Sequence, residues 1–318
     1  FGSSSRRAPP TAAPPQGLSR WASMDRLALR VSPLAGLGAS LGVSSGFVLS
    51  LYLWRLAGYE DADRNETGTI QRRFASTLLA CACSAGLVRA LASPDPEGLA
   101  LAELLGLEAE EPLRACGCCL GLTAALFLGP LLQSAVAAWE GIAACGMARG
   151  CWVTLRDLVV APFTEEFVFR ACVVRLLVAA SFPGVLIAVA SPMCFALAHV
   201  HHFREHVRRL EDKQAALTQV AFQVFYTSLF GMYSTYLLMR TGSTLAVVLA
   251  HSFCNAMGFP DVGFLVFDGH EMRRHRTWLA LAYIAGMLLF CCLLVPLTAG
   301  FHSHFGGSSG GRPVPWYE

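Results

Sequence analysis

The sequence predicts an all-α integral membrane protein, a bundle of about eight transmembrane helices. Three observations lead there. The 318-residue chain is 54% hydrophobic and only 14% charged, where a soluble domain carries about 25% charged residues. Its mean hydropathy is +0.50. The charge is missing because long stretches have none, and those stretches recur at close to the ~20 residues a helix needs to cross a bilayer.

Taken in order, residues 1–23 ("FGSSSRRAPPTAAPPQGLSRWAS") are rich in Ser, Pro, Ala and Arg and are expected to form a disordered leader. One expectation makes them a translated upstream region with Met24 as the natural start. No cleavable signal peptide is expected, because the first apolar stretch is long enough to span and lacks a clear cleavage site before a soluble domain. The expected spans are 31–54, 74–92, 115–138, 155–180, 184–203, 216–239, 244–260 and 278–297. The first is rich in Gly and Ser, the seventh is short, and the last ("WLALAYIAGMLLFCCLLVPL") is apolar nearly throughout. The acidic segment 93–114 has a helical period and is expected at the membrane surface between the second and third spans. The regions are therefore the leader 1–23, N-terminal transmembrane helices in 24–150, a transmembrane core in 151–300 and a glycine-rich flexible tail in 301–318.

Lys and Arg set the expected orientation, since cytoplasmic loops carry their excess. Odd-numbered loops hold Arg55, Arg64, Arg72, Arg73, Arg149, Arg156, Arg204, Arg208, Arg209, Lys213, Arg273, Arg274 and Arg276. Even-numbered loops and the tail hold only Arg114, Arg240 and Arg312. The count favours cytosolic odd-numbered loops with both termini across the membrane, although the N-terminal segment, with five arginines, dissents. The net charge of +2 and the lack of a basic patch interleaved with aromatics argue against nucleic acid as a partner. Nearly all of the 12 cysteines lie in or beside apolar segments, where cysteine behaves as a small hydrophobe. "CACS" and "CGCC" lack the paired spacing of a zinc site.

Against that background, ionisable groups inside apolar stretches stand out. Each costs about 2.5–3.5 kcal/mol at membrane depth and marks a bundle interior or a wet cavity. "APFTEEFVFRACVV" holds Glu165, Glu166 and Arg170. Glu166 and Arg170 are one helical turn apart with the acid first, the better orientation for an ion pair, and they read as scaffolding. Glu165 is turned about 100° away and has no local partner. A carboxylate without a local partner suits a general base. Pro162 is expected to start or kink this helix and admit water. The plainer alternative is a pair of ordinary ion pairs at a helix entrance. In "FALAHVHHF", His199 is the deepest histidine, while His201, His202 and His206 read as a solvated helix end. A lone histidine on an apolar face is otherwise a satisfied core residue. In "VLAHSFCNAMGFP", His251 and Asn255 are one turn apart and point the same way as donors for an oxyanion, or as polar glue between helices. All three groups sit towards odd-numbered loops, so Glu165, His199, His251 and Asn255 can meet in one membrane half around an intramembrane active-site cavity.

"EEFVFR" fits EExxxR, "FALAH" fits FxxxH and "HSFCN" fits HxxxN. In that order on successive spans, they resemble the CAAX protease and bacteriocin-processing family of membrane glutamic proteases, and within it the type II CAAX prenyl endopeptidases. The resemblance runs from about Trp152 to Pro260 and is looser before that. It implies an eight-helix enzyme of the endoplasmic reticulum membrane with its site open to the cytosol. The implied substrates are farnesylated or geranylgeranylated CaaX proteins, such as small GTPases, which lose their last three residues. By position, Glu165 and His199 would activate water, His251 and Asn255 would stabilise the oxyanion, and Glu166 and Arg170 would support Glu165. No metal or other cofactor is expected, and the partners are the substrate proteins and the lipid bilayer. Three other readings remain. One is a zinc protease using His199, His251 and Glu165, although the usual HExxH is absent. Another is a non-catalytic scaffold or transporter. The last is a thiol mechanism through Cys172 or Cys254, both of which read more simply as packing.

Overall fold

Helix covers each of the eight expected apolar stretches in the computed structural model, which describes residues 26–59, 63–142, 150–198 and 213–305, and one of those helices is central to the rest. The leader lies outside the described residues.

A short ribbon opens the chain. Strands β1 (Leu27–Leu29) and β2 (Ala92–Pro94) pair antiparallel with Leu29 opposite Ala92. No strand was expected here, because three residues of Leu-Ala-Leu are too short to show a period of two. Both leucines of β1 are buried. Helix α1 (Pro33–Ser50) starts where Ser32 accepts a hydrogen bond from the Ala35 N–H and proline takes the first turn. Helix α2 (Thr67–Leu91) begins seven residues before the expected span, since its first turns are polar and carry Arg72 and Arg73.

The expected straight span 115–138 is two helices, α3 (Pro112–Leu126) and α4 (Leu128–Trp139), bent by 70°. Pro130 supplies a reason: it has no N–H to offer the Leu126 carbonyl. Both halves pack on the last helix, α9 (Arg276–Leu297), through glycines. A Cβ at Gly129 would collide with the Tyr283 ring, and one at Gly286 with the Ala125 carbonyl and the Leu128 side chain. The helical reading of 93–114 is also corrected. Before α3 begins at Pro112, only Leu101–Leu104 forms a turn of helix, with Glu103 accepting from the Ala100 N–H.

Residues 151–179 form the central helix, α5, interrupted by two π turns, Arg156–Val160 and Phe167–Cys172. Pro162 neither starts nor breaks it, because the wide turn just before it absorbs the missing donor. Val168, Phe169, Ala171, Cys172, Val173, Val174 and Leu176 are all fully buried, so this helix is apolar all round and must be enclosed. Helices α1, α2, α6 (Gly184–Ala198), α7 (Lys213–Thr241) and α8 (Thr244–Met257) enclose it. Ser243 caps α8 by accepting from the Ala246 N–H, and Gly258 ends it at φ +68°.

Among the described residues, three helices are long and apolar enough to cross a membrane: Pro33–Ser50, Thr67–Leu91 and Arg273–Leu297. A fourth joins them if the bent pair counts as one span. The described residues therefore form a mostly helical fold with three or four helical stretches long and apolar enough to cross a membrane.

The start of the expected flexible tail is held in place. Arg175 of α5 is buried, donates from Nε to the Leu104 carbonyl (2.7 Å) and from Nη1 to the His304 carbonyl (2.8 Å), and lies 4.1 Å from the centre of the buried Phe305 ring. Replacing Arg175 with Leu removes both donors and the stacked charge, a loss of about 2–3 kcal/mol. The expected outcome is a thermal midpoint in detergent several degrees lower, with earlier proteolytic cleavage near residue 305.

Candidate active site

Helix α5 presents three ionisable side chains in succession, and each meets a different environment. Glu166 is fully buried, with Oε2 3.1 Å from Arg170 Nε and Oε1 2.8 Å from His251 Nδ1. Arg170 is fully buried too. Its Nε donates to Ser234 Oγ of α7 at 2.7 Å, and its guanidinium lies over the Phe195 ring of α6 at 4.6 Å. Neither of its Nη atoms has a hydrogen-bond partner among the described residues, so the aromatic faces of Phe195 and Phe230 carry that part of the charge. Four helices thus converge on one pair of charges.

The pair fixes the imidazole of His251. A carboxylate ionised beside an arginine can only accept, so the hydrogen lies on Nδ1 and Nε2 points the other way. The ring of Phe230, 4.7 Å off, flanks it. Across from Nε2 lies Glu165, with Oε2 3.9 Å away and its side chain 24% exposed. That gap is too long for a hydrogen bond, and is the kind of separation a water bridges. Adjacent in sequence, the two glutamates take opposite places: one is sealed behind the histidine, the other is open in front of it.

Asn255 stands one turn beyond His251 and donates from Nδ2 to the Asp157 carbonyl at 2.9 Å. The first π turn explains why that carbonyl is available. The Ala161 N–H reaches back five residues to the Arg156 carbonyl, and Pro162, next in line, has no N–H to give. Glu165, His251 and Asn255 line one cavity of about 460 Å³ together with Arg64, Arg73, Arg156, Asp157, Thr77 and Tyr226. His199, and with it His201, His202 and His206, lies outside the described residues. Cys172 is fully buried, and Cys254 is nearly so at the cavity wall. Among the described residues, no group of three or more His, Cys, Asp or Glu side chains is arranged to hold a metal.

The family described as type II CAAX prenyl endopeptidase, Rce1-like, matches residues 147–257, which span α5 to α8 and hold Glu165, Glu166, Arg170, His251 and Asn255. CAAX prenyl protease 2 of Homo sapiens is 36% identical over 277 residues, covering 81% of this chain and 79% of that protein. The chain belongs to the type II CAAX prenyl endopeptidase family. The Rattus norvegicus CAAX prenyl protease 2 is 32% identical over 84% of this chain and 83% of its own length. That of Arabidopsis thaliana is 39% identical over 45% of this chain and 43% of its own length. No solved structure matches the chain significantly.

Several parts of this CAAX endopeptidase site were not foreseen from the sequence. The tie from Glu166 to His251 joins residues 85 positions apart, and the sequence had paired Glu166 with Arg170 and set both to support Glu165. Arg64, Arg72, Arg73 and Arg156 had been counted as loop charge, and Asp157 had not been singled out. The π turns had one signal, Pro162, and it was read as a helix start or a kink.

The two glutamates should separate in a stability measurement. Glu166→Gln strands the buried Arg170 charge, at about 3–5 kcal/mol, and should lower the detergent midpoint strongly or prevent folding. Glu165→Gln, at a partly open position, should leave the midpoint within a degree or two of the wild type. Equal losses in both would contradict the division of roles.

Proposed function

We propose that the chain removes the aaX tripeptide from farnesylated or geranylgeranylated CaaX proteins, with Glu165 as the general base. The observation that carries this reading is Glu165 facing the Glu166-held imidazole of His251 across 3.9 Å in an open cavity. A water in that gap gives its proton to Glu165 and its oxygen attacks the carbonyl carbon of the prenylated cysteine. His251 enters the step with a hydrogen on each ring nitrogen, Nδ1–H held by Glu166 and Nε2–H facing the cavity, so that it and the Asn255 amide donate to the oxyanion. The C–N bond then breaks, and the proton held by Glu165 passes to the departing amine. From the FxxxH motif, His199 joins Glu165 in activating the water. Glu166 and Arg170 act through His251.

A second cavity supports a substrate that is half lipid. About 790 Å³ of groove lies between α1 and α2, lined by Gly42, Val43, Gly46, Leu79 and Leu87 among others, and it shares Phe47 with the catalytic cavity. An isoprenoid there gains about 0.8 kcal/mol per buried CH₂ while the peptide stays among polar groups. In this reading the eight helical stretches are eight passages of the bilayer. Residues 24–150 carry the lipid groove and 151–300 the chemistry, flanked by leader and tail. The enzyme resides in the endoplasmic reticulum membrane with its site towards the cytosol, and small GTPases are among its substrates.

The test is release of intact aaX from a farnesylated CaaX peptide by purified protein. Wild type should cleave, and Glu165→Gln should lose at least 100-fold in kcat while still binding the peptide. Cys254→Ala and added chelator should leave turnover unchanged. Loss of turnover on chelation, restored by zinc, would replace this mechanism with a metal-dependent one. Binding without cleavage by the wild type would support a scaffold or transporter.

A further inference from the structure

The catalytic cavity carries more positive charge than the chemistry uses. Arg64, Arg73 and Arg156 all line it, against two lining carboxylates, Asp157 and Glu165. Glu165 belongs to the hydrolytic end. Asp157 is bound to its neighbour, with Oδ1 2.7 Å from Arg156 Nε. Counted formally, three arginines against Asp157 leave that end of the lining positive, in a site that has to take up an anionic peptide end.

Arg156 also organises that end. Its Nη1 donates to the Arg64 carbonyl at 2.8 Å and to Asn65 Oδ1 at 3.0 Å. These bonds pin the turn before α2, so that Arg64 on the turn and Arg73 two turns into α2 face the same cavity as Glu165. A guanidinium pair of this kind suits a planar carboxylate, which it can grip through two parallel N–H bonds.

The spacing matches the reaction. Arg156 precedes Glu165 by nine residues on α5, which is about 13 Å at ~1.5 Å per residue, and the π turn shortens it further. Three extended residues span about 10–11 Å at ~3.3–3.6 Å each. With the scissile carbonyl between Glu165 and His251, an aaX segment running along α5 ends its chain at the level of Arg156. The terminal carboxylate is the one group that every aaX tripeptide has, whatever its side chains.

We infer that Arg64 and Arg73, held in place by Arg156 as a positioning residue, form a subsite for the substrate's C-terminal carboxylate and so set the cut three residues from the end. The inference rests on the endopeptidase reading above. The subsite explains how a cavity can select a free chain end without selecting a sequence.

The experiment compares two farnesylated CaaX peptides, identical except that one ends in a carboxylate and the other in a carboxamide. Both are assayed with purified full-length protein in neutral detergent. Wild type should prefer the acid by roughly 10–100-fold in kcat/KM, mostly through KM. Arg73→Gln should bring the acid-to-amide ratio close to one, and Arg156→Gln should lower it, whereas purely structural damage would lower both rates and keep the ratio. Equal cleavage of both peptides by wild type would overturn the subsite and leave the protease reading intact. Cleavage of neither would overturn both. If Arg73→Gln matters only when anionic phospholipid is added, and equally for acid and amide, the arginines bind lipid headgroups and the inference fails.

Discussion

The buried ion pair between Glu166 and Arg170 is the constraint on which the rest of the structure depends. Two full charges with no exposed surface cost several kcal/mol each to desolvate, and the chain surrounds them with everything it has nearby. Ser234 takes one guanidinium N–H, Phe195 and Phe230 offer ring faces, and His251 shares the carboxylate. These partners come from α6, α7 and α8, so satisfying the pair also fixes how three helices sit on α5. Fold and site are then the same problem, because the helix that must be enclosed is the one that carries Glu165, the proposed general base.

A sealed pair of this kind can act on its neighbour without touching substrate. Glu166 sets the tautomer and direction of His251, and its charge is offset by Arg170 rather than by solvent. Glu165, one residue earlier and about 100° around the helix, is left outside the seal. The π turns refine this arrangement: the first leaves a carbonyl for Asn255 beside Pro162, and the second begins immediately after Glu166. Such turns are frequent at functional sites because they re-aim side chains without ending the helix.

Much of this was legible in the sequence. Every expected apolar stretch carries helix, because long uncharged runs report burial in lipid or core whatever the tertiary detail. Boundaries moved where a helix begins with polar residues, as at Thr67–Arg73, which hydropathy cannot assign to a span. The bend at Phe127 could have been inferred from Pro130, but the ribbon at Leu27–Leu29 is too short to carry a period. Glu165, Glu166, Arg170, His251 and Asn255 could be singled out because charge inside an apolar run is costly. What could not be read was which of them meet. Contact between Glu166 and His251 depends on how α8 packs on α5, and the arginines at the cavity mouth looked like ordinary loop charge.

The most direct test of the central claim removes both buried charges together, with Glu166→Leu and Arg170→Met. Apolar replacement of a whole buried pair is often neutral or stabilising, so the double variant should fold with a midpoint near that of the wild type. His251 would then have lost its carboxylate, and turnover of a farnesylated CaaX peptide should fall to about 1% or less of the wild-type rate, in the range of removing one acid–base contribution. A folded double variant with wild-type turnover would contradict the account, since His251 would then need no carboxylate behind it.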